Sequence, residues 1–187
     1  MRLIKRIINL LLFPAKEWKA IAEENNSRKT VYLRFVIPLL CVMAITTIIG
    51  TWLGTSRELY SAGYVICRIL TLWVSISVGL YISAFLITEI MAREIETKEH
   101  NRNFALLAYS SAAAYLVIII VSMFPFFKVF LVLSFYACYL YWVGIPQIVQ
   151  VEGQKRMVYG MSSFIIIALI YLLMFFLFGN IFEAIFI

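Results

Sequence analysis

Apolar positions follow two patterns along this chain. Over residues 1 to 24 they fall three and four apart. Leu3, Ile4, Ile7, Ile8, Leu11 and Leu12 share one helical face, and Arg2, Lys5, Arg6 and Asn9 the other. That period predicts an amphipathic helix at a membrane interface. Pro14 breaks or restarts it, and Trp18, Ile21 and Ala22 continue the apolar side opposite Lys16, Glu17, Lys19, Glu23 and Glu24. Trp18 is expected among lipid headgroups. From residue 31 the runs become apolar all round: 31–53, 64–90, 104–124, 126–148 and 158–180. Each meets the ~17–25 residues that a transmembrane helix needs, and the second is long enough to tilt. Barrel strands would be ~10 residues long and strictly alternating. Pro125, with Lys128 just beyond, predicts a tight helical hairpin between the third and fourth runs, a single broken element being the alternative.

The fold class expected is therefore all-α: a polytopic membrane protein, a bundle of five transmembrane helices with an N-terminal amphipathic interfacial helix. Residues 1–30 form the cytoplasmic arm and 31–187 the membrane domain. Composition agrees, since 64% of the 187 residues are hydrophobic, against ~45–50% in soluble domains. Charge then sets orientation. Of 16 Lys and Arg, eight precede or open the first run, three lie between the second and third, and two between the fourth and fifth. Thirteen cations on one side predict a cytoplasmic N terminus and a C terminus outside. A cleaved signal peptide is the rival reading of the arm, but its apolar run is short and no small-residue cleavage site follows. No repeat is visible, and an odd number of spans does not fit a two-half inverted transporter.

Catalytic chemistry finds little material. Asp is absent, and the one His, His100, lies in the charged stretch Glu94 to Arg102. An aspartyl dyad is thereby excluded, and a serine–histidine site or zinc centre would need histidines or carboxylates that the runs lack. Cys41, Cys67 and Cys138 stand singly in apolar runs, without disulfide or metal spacing. No catalytic, cofactor-binding or metal-ligating set is expected, and no cofactor. Arg68, four residues into the second run, is the candidate functional charge. It either pairs with an anion or carboxylate or snorkels to the headgroups.

Small residues recur every four positions at Thr46, Gly50 and Gly54 and at Ser75, Gly79 and Ser83. They predict close helix packing, within the chain or between copies in a homo-oligomer. Gly144 and Pro146 predict a bend in the fourth span. The basic arm and cytoplasmic loops are expected to meet membrane lipids and protein partners. Nucleic acid is not expected, because the cations cluster where topology requires them.

Together, "FPAKEWKAIAEE" with Pro14, Trp18 and Ile21, Pro38 in "YLRFVIPLL", Phe104 and Tyr109 in "NFALLAYSS", and "CYLYWVGIPQIVQ" followed by Lys155, Arg156 and Tyr159 resemble the bacterial branch of the Yip-one domain family. The resemblance implies five spans and a cytoplasmic N terminus. It implies no catalytic residue. Its eukaryotic members are associated with Rab GTPases and vesicle traffic. Bacterial relatives often have a Gly-rich approach to the third span and a Pro within it; here Lys98 to Asn103 and Ala112 to Ala114 stand there. The function expected is a non-enzymatic scaffold or adaptor binding partners or lipids, with a small transporter, channel or lipid-translocating protein as the alternative.

Overall fold

The computed structural model describes residues 3–54, 62–95, 99–151 and 153–186; Arg2, Arg57 and residues 96–98 of the charged stretch, Lys98 included, lie outside the described residues. Among the described residues the chain is helical with no strand. Five helical stretches are long and apolar enough to cross a membrane: Arg28–Leu53, Ala62–Met91, His100–Met123, Phe126–Ile148 and Gly153–Phe186.

The arm is two helices, α1 (Leu3–Leu12) and α2 (Pro14–Glu24). Pro14 stands in the first turn of α2, where its missing N–H costs nothing and its fixed φ suits a helix. Asn25 ends α2 in the left-handed region at φ 44°, and Ser27 caps the next helix, accepting a hydrogen bond from the Thr30 amide at 3.3 Å. These two residues turn the chain from the arm into the first span.

Three spans depart from uniform α-helix. The first passes from α3 (Arg28–Val31) through a π segment (Tyr32–Val36) into α4 (Ile37–Gly54). Pro38 explains the widening: it lacks an N–H, and its ring presses on the carbonyl one turn back, at Arg34. The second span is the single helix α5 (Ala62–Ile95). The third divides at Ser111 into α6 (His100–Ser110) and α7 (Ala112–Met123). The Ser110 and Ser111 hydroxyls both donate to the Leu107 carbonyl, at 2.9 and 2.8 Å, a back-bonding that distorts helices. The fourth begins as a 3₁₀ segment (Pro125–Phe135) before α8 (Tyr136–Ile148). Phe127 departs from helical geometry at φ −86°, ψ 23°; beyond it three residues per turn align Val129, Val132 and Phe135, all exposed, into one apolar ridge. The fifth is α9 (Gly153–Phe186).

The third span is the innermost and the fifth the most exposed. Phe104, Leu106, Leu107, Ala108 and Ala112 form the centre, met by Val36, Leu40 and Met43 from the first span and Ile76, Leu80 and Ile87 from the second. α9 packs chiefly along α5. Buried Trp18, Ile7 and Leu10 add the arm to the same core.

Candidate functional site

On α1, six apolar residues were expected on one lipid-facing side. Helical spacing of about 100° per residue instead splits them between two surroundings. Ile4, Ile8 and Leu12 are exposed, Ile7 is buried on the bundle, and Leu3 and Leu11 pack partly against it; Leu10, not one of the six, is buried there as well. Arg6, placed on the polar side by its spacing, turns inward and is 6% exposed.

Arg6 meets side chains from two other helices, α2 and α6. Its guanidinium grips Glu24 with two hydrogen bonds, one of them 2.7 Å from Nη1 to Oε2. Its Nε lies 3.3 Å from Glu17 Oε1, and Nη1 donates to the Tyr109 hydroxyl at 3.2 Å, with the guanidinium also over the Tyr109 ring. Asn9 Nδ2 donates to Glu17 at 2.9 Å and Asn26 Nδ2 to Glu24 at 2.7 Å. Burial works against the charge on Arg6, yet the hydrogen bond to Glu24 and the surrounding oxygens hold its pKa above the ordinary value. The hydrogen bond from Arg6 in turn holds the Glu24 carboxyl below its ordinary value, against desolvation. A polar cavity of about 280 Å³ opens beside the cluster, bordered by Asn26, Thr30 and Arg34.

Two further contacts lock the arm. Trp18, expected among headgroups, is fully buried. A side chain at Gly144 would lie 2.8 Å from its indole and 2.5 Å from Leu106 Cδ1, so Gly144 supplies the slot that the ring fills. α8 runs through Gly144 and Pro146 as one helix. The Tyr136 hydroxyl donates to the Leu11 carbonyl at 2.9 Å, satisfying an acceptor left open at the end of α1. Trp18 and Ile7 are thus buried against the bundle rather than laid among headgroups, and Leu11 packs partly against it, because apolar protein surface covers them.

Across the spans, buried Asn103 is a bridge. Its amide donates to Thr88 at 2.9 Å and accepts from the Tyr159 hydroxyl at 3.0 Å, tying α5, α6 and α9 together. Gly50, Ser75 and Gly79 meet other spans of the same chain. A methyl group on Gly50 would overlap the Ser122 carbonyl of α7, and one on Gly79 would sit 3.1 Å from the Tyr171 ring of α9. Ser75 donates to the Met174 carbonyl at 3.1 Å, Ser83 is buried, and Gly54 ends α4.

Arg68 lies far from the arm, on an exposed position of α5, its guanidinium 5.8 Å from the Tyr64 ring centre. It borders a cavity of about 430 Å³ between α5, α7, the 3₁₀ segment and α9, whose far wall carries Glu183. Spacing along the sequence missed this acid, 115 residues away and beyond the expected end of the fifth span. Glu17, Glu24, Tyr109 and Asn103 were missed likewise. Among the described residues no group of three His, Cys, Asp or Glu is placed to hold a metal ion; His100 lies 3.5 Å from Glu89 and stacks on Phe85.

The sequence matches the Yip1 domain over residues 8–177. The chain belongs to the Yip1 domain family. The matched stretch begins inside α1 and runs into α9, so arm and bundle both fall within the Yip1 domain. No curated protein and no solved structure matches the chain. This Yip1-domain protein is an integral, multi-pass membrane protein.

Proposed function

We propose that this protein is a non-enzymatic scaffold or adaptor. Its arm and the adjoining span ends form one preformed surface that binds protein partners or lipids. One observation carries the reading: Arg6, Trp18 and Leu11 are each held by the bundle, so the arm is presented in a fixed position. Binding surfaces gain affinity when their parts need no ordering on association. At the end of the arm Arg28 donates to Asn101 at 3.2 Å, beside the start of the third span, and along the sequence thirteen of the 16 cations fall in the arm, at the start of the first span, or in or beside the second-to-third and fourth-to-fifth connections. That bias supports a cytoplasmic surface, with the other end of the chain opposite, in the cytoplasmic membrane for a member of the bacterial branch.

Photo-crosslinkers at exposed Lys16 and Lys19 test this in intact membranes. A reproducible adduct, to another protein or to a second copy, is expected from the native chain and lost in Gly144→Val. No adduct under any condition, or equal capture by both, contradicts the reading.

The cavity at Arg68 favours a second reading, a small transporter, channel or lipid-translocating protein. It ranks second because α5 and α9 close beneath the cavity, through Ser75 on Met174 and Tyr171 on Gly79. Substrate flux into liposomes, lost in Arg68→Ala, would reverse the ranking.

A further inference from the structure

The register of α5 against α9 places two opposite charges at one depth. Gly79 faces Tyr171, Ser75 bonds Met174, and a side chain at Gly179 would lie 4.0 Å from Thr71 Cγ2. Each turn back along α5 thus meets the next turn along α9. One turn further, Arg68 comes level with Glu183, and both border the same cavity. Among the described residues they form no ion pair with each other.

The rest of the lining is mostly apolar, with Leu72, Val121, Leu131 and Phe175 behind the charges and the Ser122 hydroxyl among them. The volume of about 430 Å³ lies within the roughly 300–1,000 Å³ of ligand pockets. Charges near the hydrocarbon are costly unless paired. A purely anionic guest would meet repulsion from Glu183, and a purely cationic one repulsion from Arg68.

We propose that this cavity binds a zwitterionic phospholipid bearing a primary ammonium. Its phosphate lies on Arg68, its ammonium donates to Glu183, and its acyl chains run along the apolar wall. A phosphate accepts the planar guanidinium fork, and an ammonium offers three donors to a carboxylate. A quaternary ammonium offers none and binds more weakly. The Tyr64 ring beside Arg68 restrains the guanidinium. The proposal stands independently of the scaffold reading, since it concerns the opposite face, and it is a matter of occupancy rather than flux.

The test uses the full chain purified in detergent, delipidated, and offered phosphatidylethanolamine, phosphatidylcholine, phosphatidylglycerol or soluble glycerophosphoethanolamine, with retention read by native mass spectrometry. Phosphatidylethanolamine is expected to be retained best. Arg68→Gln and Glu183→Gln should each lower its retention about tenfold or more, the loss of one charge-assisted contact. The double exchange Arg68→Glu with Glu183→Arg should restore binding, which separates a charge requirement from misfolding. Equal retention by the single variants overturns the site. Preference for phosphatidylglycerol, increased by Glu183→Gln, overturns the zwitterion. Equally tight binding of the soluble headgroup overturns the lipid.

Discussion

The Trp18 indole occupies the place that a side chain on Gly144 would take, 2.8 Å from where its Cβ would stand. This contact between arm and fourth span makes the amphipathic segment part of the fold.

Gly144→Val is therefore expected to expel Trp18. Overpacking typically costs about 1–3 kcal/mol, and the arm bears it by detaching. Hydrogen exchange of residues 14–24 in nanodiscs should rise sharply in this variant while α6 stays protected. Unchanged exchange would show that the slot tolerates a side chain.

Acid should loosen the arm. Glu24 is held below its ordinary carboxyl pKa by Arg6, so its stabilising contribution is present above the unfolded value near 4.5 and fades as pH falls through the folded one. Arg6 is shifted upward, so its contribution is complete below its unfolded value, throughout neutral pH, and fades only above that range. Protection factors of the arm, which remove the intrinsic pH dependence of amide exchange, should stay flat from neutral to mildly acidic pH and fall below about 4.5. Glu24→Gln should show lower protection at neutral pH and a shallower fall.

Removing Arg6 should do more harm than removing Glu24. Arg6→Gln leaves the buried Glu17 without its cation, and stranding one member of a buried pair costs about 3–5 kcal/mol. The Glu24 side chain is 37% exposed, so water partly replaces its partner. Thermal unfolding in detergent should rank the variants in that order.

Glycine substitutions should separate by what they strike. Gly50→Ala meets the Ser122 main chain, which cannot yield without moving α7, whereas Gly79→Ala meets the edge of the Tyr171 ring. The first should sit at or above the upper end of the ~1–3 kcal/mol overpacking range and the second near its lower end. Comparable melting temperatures would contradict the close approach of α4 and α7.

Much of the fold was legible because its signals are local. A run such as 104–124 declares itself by length and hydropathy, and Pro14 and Pro125 stand at observed element starts. The 3₁₀ opening of the fourth span and the break at Ser111 were not legible, since helix type depends on small backbone shifts within uniformly apolar sequence. The sites were legible only in part. Arg68 stood out as a charge inside a run, but Glu183 looked like a tail residue until α9 folded back along α5. Arg6 looked solvated because its partners, Glu17, Glu24 and Tyr109, are assembled only in three dimensions. Trp18 carries an interface signature, and only the vacancy at Gly144 makes the interior the better home.

The most direct test is the distance between arm and bundle with and without lipid. Spin labels at Lys19→Cys and Gln154→Cys, in a chain with Cys41, Cys67 and Cys138 replaced, can be read by pulsed electron resonance in nanodiscs and in lipid-free micelles. A single narrow distribution, the same in both, is predicted for an arm held by Arg6, Trp18 and Leu11. A distribution that broadens or moves when lipid is removed would show that the bilayer, not the bundle, holds the arm in place.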